Sequence, residues 1–299
     1  MSGALKGLEF LRRPRERDSV IWMATPERTI ARDGHGTDVS LVIPVHNGAG
    51  FVADSVAEAR GYLAEHCPAF ELLVVDDGSS DGTAEVLDPL LDERVHVIRL
   101  PENRGKFGAL KTGMAVASGR CRVFTDADLP YDLEAVPYIA GLVNGHGWDV
   151  VVGDRTLSES VSMENTRVAR RMSSRVFAFS VRMLVTGGLF DSQCGLKGFR
   201  GEVADALFPL VIDDSFSGDV ELLYIALKHN LAIRRIPVRL QRASPSTVRL
   251  RFDSLPMLLR ILRLRSNWKR GRYESEALSR IASQAYWHTV RPPAARATR

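Results

Sequence analysis

The sequence predicts an α/β fold built on a doubly wound, mostly parallel sheet flanked by helices. Three observations carry this. Short apolar runs alternate with helical stretches as βαβαβαβαβ as far as residue 153. The runs read as buried strands, and at 45% hydrophobic and 25% charged residues the 299-residue chain can build a sizeable core around them. Several of the runs stop abruptly in polar clusters, and the carboxyl ends of strands are where open α/β sheets hold ligands.

In order, residues 39–45 form the first strand, with Pro44 near its end because proline cannot donate to a ladder. A helix follows over 51–66, with Val52, Val56 and Leu63 on one face. Strand 71–75 ends in Asp76-Asp77-Gly-Ser-Ser-Asp-Gly-Thr83, and a short helix covers 83–91. Strand 95–100 leads through the turn 101–105 into a helix over 106–118, whose Leu110 and Met114 face inward. Strand 121–125, a helix over 132–143 and strand 149–153 complete the regular half. Beyond it lie a long arginine-flanked helix over 164–186, a loop and short strand over 187–200, a helix over 218–229 and a strand over 231–240. A basic amphipathic helix is expected over 254–265 and a polar tail from 266. The divisions expected are a flexible basic arm (1–37), a catalytic domain (38–250, in halves 38–155 and 156–250) and a C-terminal extension (251–299).

Net charge is +4, with arginine concentrated at both ends and in one helix, which suits phosphate-bearing partners. Three cysteines without repeated spacing argue for a reducing compartment and against a disulfide framework. No apolar leader and no run of about 18 apolar residues is present, so neither a signal peptide nor a membrane span is expected. The arginines are not interleaved with aromatics and no nucleic-acid-binding motif appears, so nucleic acid is not an expected partner.

The chemistry centres on Val123–Tyr131, where a strand ends in Asp126 and Asp128. At a period of two, both carboxylates aim at one spot. Carboxylates that close repel unless a cation sits between them, and Mg²⁺ is commonly held by one or two carboxylates plus substrate phosphates. Asn103-Arg-Gly-Lys106 opens a helix, so its N–H groups and Lys106 form a candidate anion site. Gly48-Ala-Gly-Phe-Val-Ala53 matches a dinucleotide fingerprint. It follows its strand too loosely, after Pro44-Val-His-Asn47, and gives Asp126 and Asp128 no role.

The ordered set of Pro-Val-His-Asn47, DDGSSDGT, NRGK, DAD, Gly153-Asp-Arg155, Asp191-Ser-Gln-Cys-Gly-Leu-Lys197 and Asp219-Val-Glu-Leu222 resembles family 2 glycosyltransferases of the GT-A (Rossmann-like) fold. Across about residues 38–265 it is most like the dolichyl-phosphate glucosyltransferases and their bacterial polyprenyl-phosphate relatives. The resemblance implies an inverting, metal-dependent hexosyl transfer from a nucleoside diphosphate sugar, UDP-glucose or a related UDP-sugar before a GDP-sugar. The acceptor it implies is a polyprenyl phosphate; a soluble hydroxyl acceptor is the alternative. It implies that Pro44, Asn47, Asp76, Asp77, Lys106, Asp126 and Arg155 bind the donor, and that Asp126 and Asp128 hold Mg²⁺ or Mn²⁺. Asp219 stands at the family's base position, needed if the acceptor is a hydroxyl, while Gln193, Lys197, Arg200 and Arg242 face the acceptor.

The chain departs from its relatives in two places. Pro130 replaces a glutamine that serves as a further metal contact in mannosyltransferase relatives, and Pro245-Ser-Thr247 replaces a phosphate-binding Gly-Ser-Lys. The two basic amphipathic helices lead us to expect a cytoplasmic protein in peripheral contact with an anionic membrane face.

Overall fold

A computed structural model describes residues 20–22, 36–162, 191, 193–215, 217–241 and 263–290. Its strands are β1 (Val20–Trp22), β2 (Val39–Val45), β3 (Phe70–Asp76), β4 (Val95–Arg99), β5 (Cys121–Phe124), β6 (Val150–Asp154), β7 (Val161–Ser162), β8 (Lys197–Arg200), β9 (Ile233–Pro237) and β10 (Arg239–Leu240). Eight of them form one sheet in the order β1-β4-β3-β2-β5-β8-β6-β9, and β7 pairs with β10 apart from it. All neighbours in the sheet run parallel except β8, which is antiparallel to β5 and β6.

Period-two alternation sorts the strand residues onto two faces, each with its own core. Leu41, Ile43, Leu72, Val74 and Val123 pack under the helix α1 (Val52–His66), the short α2 (Thr83–Leu87) and their neighbours. Val42, Leu73, Val75 and Phe124 pack on the other side against α3 (Lys106–Val116), where the helices Gly201–Leu207 and Gly218–Lys228 also lie. On α3, Gly113 permits close approach: a Cβ there would stand 2.5 Å from Val42 Cγ1. The three cysteines are free and buried.

Arg122 is the largest fully buried side chain. Its Nη1 donates to the Met114 carbonyl and to Asp205 Oδ1, each at 2.8 Å, and its Nη2 donates to Asp205 Oδ2 at 3.3 Å. The pair ties β5 to α3 and to Gly201–Leu207, and so steadies the strand that delivers Asp126.

Several expectations are corrected. The N-terminal arm contributes a strand, because the outer edge of β4 offers unpaired backbone groups that Val20–Trp22 takes up. The helix expected over 83–91 is α helix only for Thr83–Leu87, and Pro89 lies in a 3₁₀ turn. The strand expected over 231–240 breaks at Val238 into β9 and β10. The tail from 266 is not simply polar: Tyr273, Leu278 and Ile281 enter the core beside α3's side of the sheet. The helix over 164–186 and residues 254–262 of the basic helix lie outside the described residues; Leu264, at the end of the latter, is buried.

Replacing Asp205 with Ala strands a buried guanidinium and should lower stability by about 3 kcal/mol. Urea unfolding checks this; a loss below ~1 kcal/mol would show that Arg122 is satisfied without Asp205.

Candidate functional site

The ends of β2 and β3 are stitched together by their own polar residues. The Asn47 N–H donates to Ser79 Oγ at 2.8 Å, and its side-chain oxygen accepts from the Ser80 N–H at 2.9 Å. Asn47 has φ +52°, a left-handed turn that asparagine tolerates. Pro44 pairs in register with Val75, and the Asp77 N–H returns to the Val45 carbonyl. The two aspartates here have different duties. Asp77 accepts the Arg104 N–H at 2.7 Å and so anchors the loop before α3. Burial pushes its carboxyl up, although the Arg104 and Gly105 N–H groups oppose this. Asp76 is buried, and accepts the Ser79 N–H through Oδ1 at 3.0 Å. The Gly48 and Ala49 N–H groups, within the apparent dinucleotide fingerprint, are taken by Thr83 Oγ1 and Asp81 Oδ2.

Asp126 and Asp128 do not share a face by strand periodicity. β5 stops at Phe124, and a turn closes with the Leu129 N–H donating to the Asp126 carbonyl at 3.0 Å. Asp126 is fixed from two sides. Lys106 Nζ donates to its Oδ1 at 2.5 Å, and Gly195 passes so close that a Cβ there would meet Asp126 Oδ2 at 1.9 Å. Asp128 is partly exposed and has no hydrogen bond or ion pair with the described residues.

From Asp126 an alternating row of charges runs inward. Lys106 Nζ lies 3.9 Å from Asp219 Oδ2, and Lys197 Nζ lies 2.6 Å from Asp219 Oδ1 and donates to the Cys194 carbonyl at 2.6 Å. Burial works against the charge on Lys106, but Asp126 and Asp219 outweigh it and hold the ammonium above the ordinary lysine pKa. One expectation changes here. The start of α3 is not an open anion site, because the Phe107 and Gly108 N–H groups donate to the Asp214 carbonyl; the Lys106 side chain reaches Asp126 instead. Asp219 is buried with its two oxygens facing Lys106 and Lys197, for which it serves as counter-ion.

Residues 193–197 close over this row, with Gly195 against Asp126. Arg155 grips Asp191 in bidentate fashion, Nε to Oδ2 at 2.5 Å and Nη2 to Oδ1 at 2.9 Å. Burial raises the Asp191 carboxyl, but Arg155 prevails and holds it below the usual carboxylate range. Arg155 is thus engaged as a latch on Asp191, while its side chain stays about half exposed. Tyr131 hydrogen-bonds the Cys194 sulfur, and burial pushes that thiol up to about 11.

The acceptor residues scatter. The β5–β8 register pairs Lys197 with Phe124 but Arg200 with Cys121, at the opposite end of the strand. Arg200 there binds Asp149 at 2.7 Å, so it is removed from the site; antiparallel β8 carries it away. Lys197 is fully buried and is no surface cation. Gln193 is exposed in the turn beside Cys194, and Arg242 lies outside the described residues. Sequence reasoning missed Asp191 as the partner of Arg155, Tyr131 on Cys194, and Glu221, which accepts from the Ile212 and Asp213 N–H groups and from the Tyr273 hydroxyl. Buried acids inside the quoted motifs were the available signal.

Two carboxylates at a strand end are hard oxygen ligands suited to Mg²⁺ or Mn²⁺. No group of three or more His, Cys, Asp or Glu that could hold a metal occurs among the described residues. The residues fit a divalent cation whose remaining ligands come from a diphosphate and water. No helix among the described residues is long and apolar enough to cross a membrane.

The model for glycosyl transferase family 2 matches residues 40–208. Glycosyltransferase AglD of Haloferax volcanii is 30% identical over 80% of this chain, which spans 39% of that relative's length. Human dolichyl-phosphate beta-glucosyltransferase is 32% identical, over 69% of this chain and 68% of its own. Glucosyl-3-phosphoglycerate synthase from Mycobacterium tuberculosis, solved with Mn²⁺ and UDP-glucose, superposes with a TM-score of 0.56 at 21% identity, covering 82% of this chain and 86% of that one. At that identity the likeness is one of fold.

The Arg155–Asp191 latch has a definite pH signature. Because the folded carboxyl is depressed, its contribution is complete above the unfolded aspartate value of about 4 and is lost as pH falls through the folded value. The stability gap between the wild type and Asp191→Asn should therefore narrow on acidification, as read by denaturation between pH 6 and pH 2. A gap that widens would contradict the latch.

Proposed function

The chain belongs to glycosyltransferase family 2, and from that membership we propose that it transfers a hexose from a UDP-sugar to a polyprenyl phosphate, with inversion. The observation that carries the acceptor is the engagement of Asp219. A base for a hydroxyl acceptor must reach the proton it removes. Asp219 instead lies buried, between Lys197 at 2.6 Å and Lys106 at 3.9 Å. A phosphate monoester has a second pKa of about 6, so it arrives as an anion and needs no such base. The relatives named dolichyl-phosphate beta-glucosyltransferase support the same acceptor class.

In this reading Asp76, beside Asn47 and Pro44, binds the nucleoside of the donor at the paired ends of β2 and β3. Lys106 faces the diphosphate, and Asp126 and Asp128 hold Mg²⁺ or Mn²⁺ against it. The cation supplies neutralisation of the charge that develops on the leaving nucleoside diphosphate. Arg155, through Asp191, helps keep residues 193–197 over Asp126, and Lys197 keeps Asp219 in place.

A release assay across UDP-, GDP- and dTDP-sugars, with and without polyprenyl phosphate, tests the proposal. UDP-sugar turnover that depends on the lipid phosphate is expected; transfer only to soluble hydroxyl compounds would overturn the acceptor. Asp126→Ala and Asp128→Ala should each cost at least about a hundredfold in turnover, the scale of losing one electrostatic stabiliser. Undiminished rates in excess EDTA would remove the metal from the scheme.

A further inference from the structure

We propose that Lys106 is the resident counter-cation of Asp126: it must release that carboxylate before a divalent cation can take it, and the donor diphosphate is what draws it away. The inference rests on the reading of this site as a sugar-nucleotide site, and assigns Lys106 the coupling between metal and donor.

The geometry gives the Lys106 ammonium a second place to go. Asp126 is confined on one side by the backbone of Gly195, with no room for even a methyl group between Gly195 and Asp126 Oδ2. The Lys106 backbone is confined as well. The next two N–H groups of α3 are capped by the Asp214 carbonyl, at 2.9 and 3.4 Å. Gly105 before it has φ +83° and is pressed on the same carbonyl, where a Cβ would stand 2.6 Å away. The ammonium, by contrast, has a second carboxylate in view, Asp219 Oδ2 at 3.9 Å.

Asp219 cannot by itself receive Lys106, because Lys197 already holds its other oxygen at 2.6 Å. A cation alone at Asp126 would turn Lys106 toward an Asp219 that Lys197 already holds, in a largely buried place, with the Lys106 side chain 12% exposed. A diphosphate alone would meet Lys106 while it is still paired with Asp126. The two together remove that conflict, since the anion takes Lys106 as Lys106 leaves Asp126. Metal and nucleotide are thus thermodynamically linked through one lysine, and each must raise the affinity of the other by the same factor.

The test measures Mn²⁺ binding by the electron paramagnetic resonance of free Mn²⁺, with and without UDP, for the wild type, Lys106→Met and Lys106→Gln. Thermal melting confirms folding, and the glutamine amide keeps a hydrogen-bond donor near Asp126 without the charge, so this variant serves should the methionine variant fail to fold. Expected is tighter binding of Mn²⁺ alone to the variants, by about tenfold, with most of the UDP–Mn²⁺ coupling lost. A merely structural lysine would weaken Mn²⁺ binding when removed. Unchanged or weaker binding of Mn²⁺ alone, in variants of a wild type that does bind Mn²⁺ with UDP, would overturn the inference and leave the proposed function standing. A wild type that binds Mn²⁺ in neither condition would overturn both.

Discussion

The row Asp126, Lys106, Asp219 and Lys197 is the constraint on which the rest of the site depends. Each charge faces an opposite charge in the row, and the inner three side chains are largely removed from water. Breaking such a row by deleting one member leaves an uncompensated buried charge, which costs far more than the intact row contributes to stability. Its value is therefore positional. It fixes Asp126 at the end of β5, and it fixes the segment carrying Lys197 against the helix carrying Asp219.

That row exists because one strand runs the wrong way. Antiparallel β8 enters between β5 and β6, with Lys197 beside Phe124 at the carboxyl end of the parallel strands. A parallel strand in that slot would bring its last residue, rather than its first, to the ligand-binding edge. The same reversal accounts for Arg200, three residues on and at the other end of the sheet with Asp149. Two close approaches complete the assembly. Gly195 lets the segment before β8 lie directly on Asp126, and Gly105 lets the loop before α3 lie on the Asp214 carbonyl.

Polar side chains around the site divide into those that hold backbone and those left to face a ligand, and residue type does not separate them. Asp76 and Asp77 are adjacent and both buried, yet Asp77 holds the loop of Arg104 whereas Asp76 makes one local hydrogen bond. Asp81, Thr83 and the Asp214 carbonyl occupy helix-start N–H groups that, by pattern alone, read as anion sites. The Arg155 guanidinium, which resembles a phosphate cation in sequence, is matched fork to fork with Asp191.

The sequence by itself determined the parallel scaffold through β6 and the order in which it delivers Asn47, Asp76 and Asp126, because these follow from local periodicity and from where apolar runs stop. It also marked Lys106, Arg155, Lys197 and Asp219 as members of ordered motifs. Only the tertiary structure decided their partners: Lys106 with Asp126, Arg155 with Asp191, Lys197 with Asp219. It decided too that a strand belongs to the N-terminal arm and that Tyr273 reaches Glu221 from the chain's end. The reason is physical. An ion pair or hydrogen bond is set by distance and direction in space, and residues separated by 20 to 52 positions leave no periodic trace of such a meeting.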